Sequence, residues 1–158
     1  IAIVEDDKNS SKLLGEYLDK FSKDHDCKFT TSTFFTAGDY IENYRSGFDI
    51  VFMDIELPDG NGMESVRRIR ELGVESLVIF VTNLAKYAVQ GYEVKAFDFI
   101  VKPVNYYNFE LKLLSALECI DKNGDKGNNT WVYNFRQLAL RDIATDVEST
   151  YAETTENA

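Results

Sequence analysis

Four groups of residues in this 158-residue chain carry side chains suited to chemistry, and each follows a short apolar run. Glu5, Asp6 and Asp7 follow Ile1 to Val4, Asp54 ends the run from Asp49 to Met53, Thr82 follows Leu77 to Val81, and Lys102 follows Ala96 to Val101. Singly, each has an ordinary explanation. Acids after a strand make a solvated turn, a strand-end threonine is structural, and a lysine before proline lies on the surface. Together they deliver carboxylates, a hydroxyl and an ammonium to one rim. Crowded carboxylates raise at least one pKa unless a cation neutralises them. Oxygen ligands on flexible loops suit magnesium, which keeps several waters and favours a phosphate as partner. Magnesium and Lys102 would offset the charge of a phosphoryl group while Thr82 hydrogen-bonds one of its oxygens. Asp54 then has a role as acceptor, because a carboxylate can attack phosphorus to form an acyl phosphate.

These positions matter only if four segment ends meet, and the hydrophobic periodicity predicts that they do. Leu13, Leu14, Tyr17, Leu18 and Phe21 repeat at helical spacing after the first run. Cys27 to Phe35 is rich in threonine and phenylalanine, as a strand is, and Thr36 to Asp39 predicts a cap before a helix carrying Tyr40, Ile41 and Tyr44. Pro58, Gly60 and Gly62 close the Asp49 to Met53 run, and Met63, Val66, Ile69 and Leu72 follow at helical spacing. Tyr87 to Gly91 predicts a short helix, and Tyr106, Phe109, Leu113, Leu117 and Ile120 one face of a last helix. Five strands alternating with five helices predict an α/β fold: a five-stranded parallel sheet with helices on both faces, since parallel neighbours need crossovers and these are helical. Ligands in such sheets bind at the carboxyl ends of the strands, where the four groups lie.

Composition excludes several function classes. The chain is 44% hydrophobic and 28% charged, ordinary for one globular domain, and no run approaches the roughly 18 apolar residues that span a bilayer. Seventeen basic against 27 acidic residues give a formal charge of −10, which repels polyanions and argues against direct nucleic-acid binding. Cys27 and Cys119 stand apart with no CxxC pair, as reduced cytosolic thiols do. No charged-then-apolar leader opens the sequence, so a cytoplasmic location is expected, and a start at Ile1 is expected to lie downstream of the true beginning. Residues 123–129 read as a polar, glycine-rich linker, and residues 130–158 as a trailing arm or the stump of a truncated domain. His25, between two aspartates, reads as a solvated turn residue.

IAIVEDD, VFMDIELPDGNG, FVTN and FDFIVKP, in that order and spacing, make residues 1–122 resemble the receiver domain of two-component response regulators. The resemblance implies the flavodoxin-like strand order 2-1-3-4-5. It implies magnesium held by Glu5, Asp6, Asp54 and the backbone carbonyl of Glu56, and phosphorylation of Asp54 by a sensor histidine kinase. It further implies that Thr82 and Lys102 read the phosphoryl group, that Phe99 is the switch aromatic beside Thr82, and that activity is limited to self-catalysed phosphorylation and dephosphorylation. Asn83 stands where a small residue is more usual, and Phe99 lacks the hydroxyl of the more frequent tyrosine.

The run from Thr82 to Pro103, with Tyr87, Gly91, Tyr92 and Glu93, is similar to receivers joined to LytTR-type DNA-binding domains, which implies a transcriptional output. Residues 128–158 hold two arginines against five acids, so DNA contact is expected only through an output domain outside this sequence, and no membrane contact is expected. Tyr87, Tyr92, Phe97, Phe99, Tyr106 and Tyr107 concentrate around the fourth helix, fifth strand and last helix. At least one of Phe97 and Phe99 must be core, and the remainder suit an isologous dimer patch. Two alternatives remain at this point: a haloacid-dehalogenase-like phosphatase, which would want aspartate at Glu56 and threonine or valine at Pro58, and a receiver-shaped module that is never phosphorylated. Residues two apart in an extended segment point the same way, so Glu56 is expected on the same side as Asp54.

Overall fold

A computed structural model describes residues 1–123, with side chains through Asp121. The expected linker and trailing segment from residue 124 onward lie outside the described residues. Strands β1 (Ala2–Val4), β2 (Ser32–Phe34), β3 (Ile50–Met53), β6 (Leu77–Thr82) and β7 (Asp98–Val101) form one parallel sheet in the order β2-β1-β3-β6-β7. This is the expected 2-1-3-4-5 order, with β6 and β7 as its fourth and fifth strands. Two residues each of β4 (Glu56–Leu57) and β5 (Gly60–Asn61) add an antiparallel hairpin immediately after β3. The helices are α1 (Lys8–Asp24), α2 (Ala37–Asn43), α3 (Gly62–Glu71), α4 (Ala88–Gly91) and α5 (Tyr106–Asn123), with 3-10 turns at Tyr44–Ser46 and Ala85–Tyr87.

Alternation along buried strands gives two cores, one on each face. Ile3, Phe52, Ile79 and Ile100 point toward Leu14, Leu18 and Phe21 of α1 and Phe109, Leu113 and Ala116 of α5. Val4, Val51, Met53, Val78 and Phe80 point toward Tyr40 of α2, Val66 and Ile69 of α3, and Val94. Near-continuous apolar strands are what a sheet covered on both faces requires. Tyr40 is fully buried, its hydroxyl has no partner among the described residues, and burial pushes its pKa up to about 12.

Local chemistry sets the helix ends. Asp7 caps α1 by accepting from the Ser10 amide at 2.7 Å, and Thr36 caps α2 by accepting from Asp39 at 3.1 Å. Asn61 caps α3 through the Met63 amide at 2.7 Å. Leu72 falls past the end of α3 and is exposed, because the helix stops before its next apolar position reaches the core. Tyr44 likewise falls in the 3-10 turn that follows α2.

Two cations, the buried Lys112 and the half-buried Arg70, tie distant segments together. Lys112 of α5 holds Asp98 of β7 at 2.9 Å, a pair whose removal on one side leaves a buried charge. Arg70 of α3 donates to four carbonyls: Val74 and Ser76, each at 2.8 Å, Val94 at 3.2 Å and Lys95 at 3.3 Å. It thus fastens the segment after α4 to the segment after α3. His25 is not a free turn residue: Nε2 lies 2.8 Å from Glu110 Oε1 and its ring stacks on Phe21, because the end of α1 abuts α5.

Candidate functional site

Parallel register brings the ends of β1, β3, β6 and β7 to the same rim. A backbone bond from the Asp54 amide to the Val4 carbonyl at 2.9 Å locks the first two together, and one from the Glu5 amide to the Phe34 carbonyl at 3.0 Å ties the end of β1 to β2. The result is a cavity of about 530 Å3 lined by Glu5, Asp6, Asp7, Asp54, Glu56, Asn83 and Lys102, with Ser10, Leu13, Leu14, Val81, Pro103 and Val104 around them. One oxygen each of Glu5, Asp6 and Asp54 can be chosen so that all lie within 4.8 Å of one another. Glu5 and Asp54 are buried, and Asp6 is exposed at the mouth.

Lys102 joins the two buried acids. Its Nζ lies 2.6 Å from Glu5 Oε2 and 2.9 Å from Asp54 Oδ2, while the Glu56 amide donates to Asp54 Oδ1 at 3.2 Å. The Asp7 amide donates to Glu5 Oε1 at 3.0 Å. Burial pushes the Glu5 carboxyl up to about 7, hydrogen bonds from Lys102 and Asp7 working against that and the nearby Asp54 charge reinforcing it. Burial also pulls Lys102 down, but its bonds to Glu5 and Asp54 outweigh that, and its net direction is upward. Three carboxylates against one ammonium leave a formal surplus of two negative charges. An all-oxygen set with that surplus fits a hard divalent cation such as magnesium.

The remaining residues expected at the site are distributed as follows. Glu56 is exposed and lines the same cavity as Asp54, in keeping with extended alternation. Asp7 turns to its capping role and contributes its amide to Glu5. Thr82 is fully buried, its Oγ1 accepting from the Leu84 amide at 3.3 Å, and Asn83 rather than Thr82 lines the cavity. Phe99 is buried against Phe80, ring centroids 6.4 Å apart, in the core on the α2–α3 side. Phe97 is buried in the opposite core. Tyr106 is held by α1, its hydroxyl 3.0 Å from Asp24 and its ring 5.5 Å from that of Tyr17. The exposed apolar surface of α4, β7 and α5 therefore consists of Val89, Tyr92, Val101, Tyr107 and Leu111.

Sequence reasoning missed Asp59, whose carboxylate accepts from the amides of Ala37 at 2.8 Å and Gly38 at 2.9 Å. These amides, Gly38 first, hold its pKa below the ordinary carboxylate range. The Pro58-Asp59-Gly60 signature marks the turn that carries it, though not its partner. Among the described residues no helix is long and apolar enough to cross a membrane.

Comparison with known proteins agrees with this geometry. CiaR of Streptococcus pneumoniae, a transcriptional regulatory protein, is 29% identical over 97% of this chain and 65% of its own length. LytR of Staphylococcus aureus, another transcriptional regulatory protein, is 38% identical over 57% of this chain and 38% of its own. LytT of Bacillus cereus, a sensory transduction protein, is 42% identical over 39% and 25% respectively. The chain thus spans under two thirds of the length of each of these relatives. Among solved structures, the BeF3-activated DrrB receiver domain superposes with a TM-score of 0.60 at 30% identity, covering 74% of this chain and 95% of that one. A CheY-like receiver protein from Methanospirillum hungatei gives a TM-score of 0.68 at 25% identity, covering 77% and 95%. The family model for the response regulator receiver domain matches residues 1–113, and the chain belongs to that family.

Proposed function

We propose that residues 1–122 are a magnesium-dependent phosphoacceptor switch in which Asp54 takes a phosphoryl group from a sensor histidine kinase. The observation that carries the reading is the single ammonium of Lys102 held between two buried carboxylates, Glu5 and Asp54, beside a third, Asp6. Glu5, Asp6, Asp54 and the Glu56 carbonyl would hold magnesium, which when bound screens the charge of phosphoryl oxygens. An Asp54 carboxylate oxygen attacks phosphorus. A new O–P bond forms as the P–N bond of the kinase phosphohistidine breaks, and the bonding pair returns to the imidazole nitrogen. Lys102 stays within reach of the transferred group. Thr82, one residue from the cavity wall, would turn its hydroxyl from Leu84 toward that group, and Phe99 in the adjoining core would follow it. Such coupling shifts a population between two arrangements rather than building a new one.

Similarity to LytR and LytT supports a transcriptional output of the LytTR DNA-binding type, carried by a domain other than the described residues and acting in the cytoplasm. The deciding measurement is intact mass after treatment with acetyl phosphate. Wild type should gain one phosphoryl group only with magnesium present, and Asp54→Ala should gain none. An equal gain in the mutant would sink the assignment. The exposed apolar side chains of α4, β7 and α5 further support an isologous dimer that strengthens on phosphorylation. Sedimentation with beryllofluoride should show a shift toward dimer, and an unchanged monomer at high concentration counts against this surface.

A further inference from the structure

The Glu5 loop and the β4–β5 hairpin face each other across the acidic cavity, and both are tied to one short stretch of chain. The Glu5 amide is bonded to Phe34 O at 3.0 Å, at the end of β2. Three and four residues later the Ala37 and Gly38 amides meet Asp59 Oδ1 at 2.8 Å and Oδ2 at 2.9 Å, at the tip of the hairpin. Pairing of Glu56 with Asn61 and of Leu57 with Gly60 carries that tip restraint back to the residue two after Asp54. The spacing between Glu5 and Glu56 is therefore tied along a second route, through Phe34 to Gly38, besides the direct bond from the Asp54 amide to Val4 O at 2.9 Å. Leu57 anchors the hairpin in the core from below, and Asp59 ties its tip to the start of α2.

We propose that Asp59 is a positioning residue for the divalent cation, its two-pronged clasp on the start of α2 holding the Glu56 carbonyl at the distance from Glu5, Asp6 and Asp54 that the cation requires. This rests on the magnesium reading above. Asp59 itself touches neither the cation ligands nor the phosphoacceptor. Both carboxylate oxygens are engaged, and hydrogen bonds from amides to an ionised acceptor are shorter and stronger than neutral ones. The close approach leaves little room at Gly38, where a Cβ would meet Asp59 Oδ2 at 3.1 Å.

The test compares the full chain with Asp59→Ala, Asp59→Asn and Thr36→Ala, the last removing the cap of the same helix without touching the hairpin. Magnesium affinity is read by titration calorimetry, and hairpin order by amide exchange of Glu56 and Asn61 in the metal-free protein. Removing a group that orients metal ligands weakens affinity by about tenfold or more, which is the expectation for Asp59→Ala, together with faster exchange at both amides. Asp59→Asn keeps one acceptor oxygen and should fall between it and wild type. Thr36→Ala should lower the melting temperature yet bind magnesium within about twofold of wild type, a factor far below the orienting effect. Equal affinity of Asp59→Ala and wild type overturns the proposal, as does an equal loss in Thr36→Ala. A wild type with no magnesium affinity instead overturns the reading of the site, and unchanged hairpin exchange in Asp59→Ala would then dispose of the clasp as well.

Discussion

Gly62→Ala should cost about 3 kcal/mol or more and lower the melting temperature by on the order of 10 °C. Gly62 opens α3 with its amide 2.7 Å from Ile55 O, and this tight turn presses it against the backbone of the phosphoacceptor. A Cβ built there lies 2.0 Å from Asp54 O, with Asp54 C and Met53 Cγ each at 3.0 Å. The first of these is a backbone atom in the central sheet, so no side-chain rotation relieves the clash. Either α3 moves away or Asp54 does. Chemical denaturation of the variant measures the first, and phosphorylation by acetyl phosphate the second. Gly15→Ala is the matched control, because a Cβ in the middle of α1 meets nothing within 4 Å. It should stabilise the protein by roughly 0.5–1 kcal/mol through helix propensity. A Gly62→Ala protein as stable as wild type would refute the packing argument.

Magnesium affinity should tighten by about 30-fold between pH 5.5 and pH 8, each binding event displacing close to one proton at the lower pH. The cause is Glu5, whose carboxyl is raised to about 7 by burial. In the metal-free protein the folded state holds this proton between the ordinary glutamate value of 4.5 and about 7, while the unfolded chain does not. The stability Glu5 contributes is thus fully present below about pH 4.5 and lost as the pH rises through about 7. Magnesium reverses the sign, because it requires the ionised carboxylate. Saturating magnesium should therefore raise the melting temperature more at pH 8 than at pH 5.5. Lys102 stays charged across this range, since its own shift is upward. Asp7, Asp24 and Asp59 are all lowered, so their contributions disappear only at more acid pH. Calorimetry in two buffers of different ionisation enthalpy counts the protons, and an affinity flat with pH would exclude this role for Glu5.

The sheet was legible because β1, β3, β6 and β7 are buried on both faces and read as apolar runs, the half-exposed β2 being read from its threonine and phenylalanine, and the rim was legible because chemical groups end those runs. Strand length was less so. Cys27 to Phe35 has strand composition throughout, yet among the described residues only Ser32–Phe34 pairs, because its neighbour β1 offers three residues. Alternation alone would send Phe97 and Phe99, two apart, to the same side, but Phe97 precedes β7, which starts at Asp98, and the two fall in opposite cores, since helices cover both faces at this edge of the sheet. The division of labour between Asp6 and Asp7 could have been read from Asp7 and Ser10, which stand at capping distance along the chain. By contrast, Asp98 with Lys112, His25 with Glu110 and Asp59 with α2 are pairings across the fold. Local patterns carry no trace of such partners.

Arg70 has a mechanical consequence. Its guanidinium pins the carbonyls of Val94 and Lys95 at the far end of the α4 segment, where Val94 and Ala96 are also buried. Among the described residues the near end is held more lightly, by the Leu84 amide on Thr82 Oγ1 at 3.3 Å and by partial burial of Tyr87 and Ala88, and neither Leu84 nor Tyr87 makes a side-chain cap. The segment is therefore a lever with its fulcrum at Val94–Lys95. A given rotation sweeps Ala85–Tyr87, next to Thr82 and Asn83, through a longer arc than the residues that re-enter the sheet. Displacement is greatest beside the phosphoacceptor rim and fades toward the pinned end, so the strand that follows can keep its register while the helix swings.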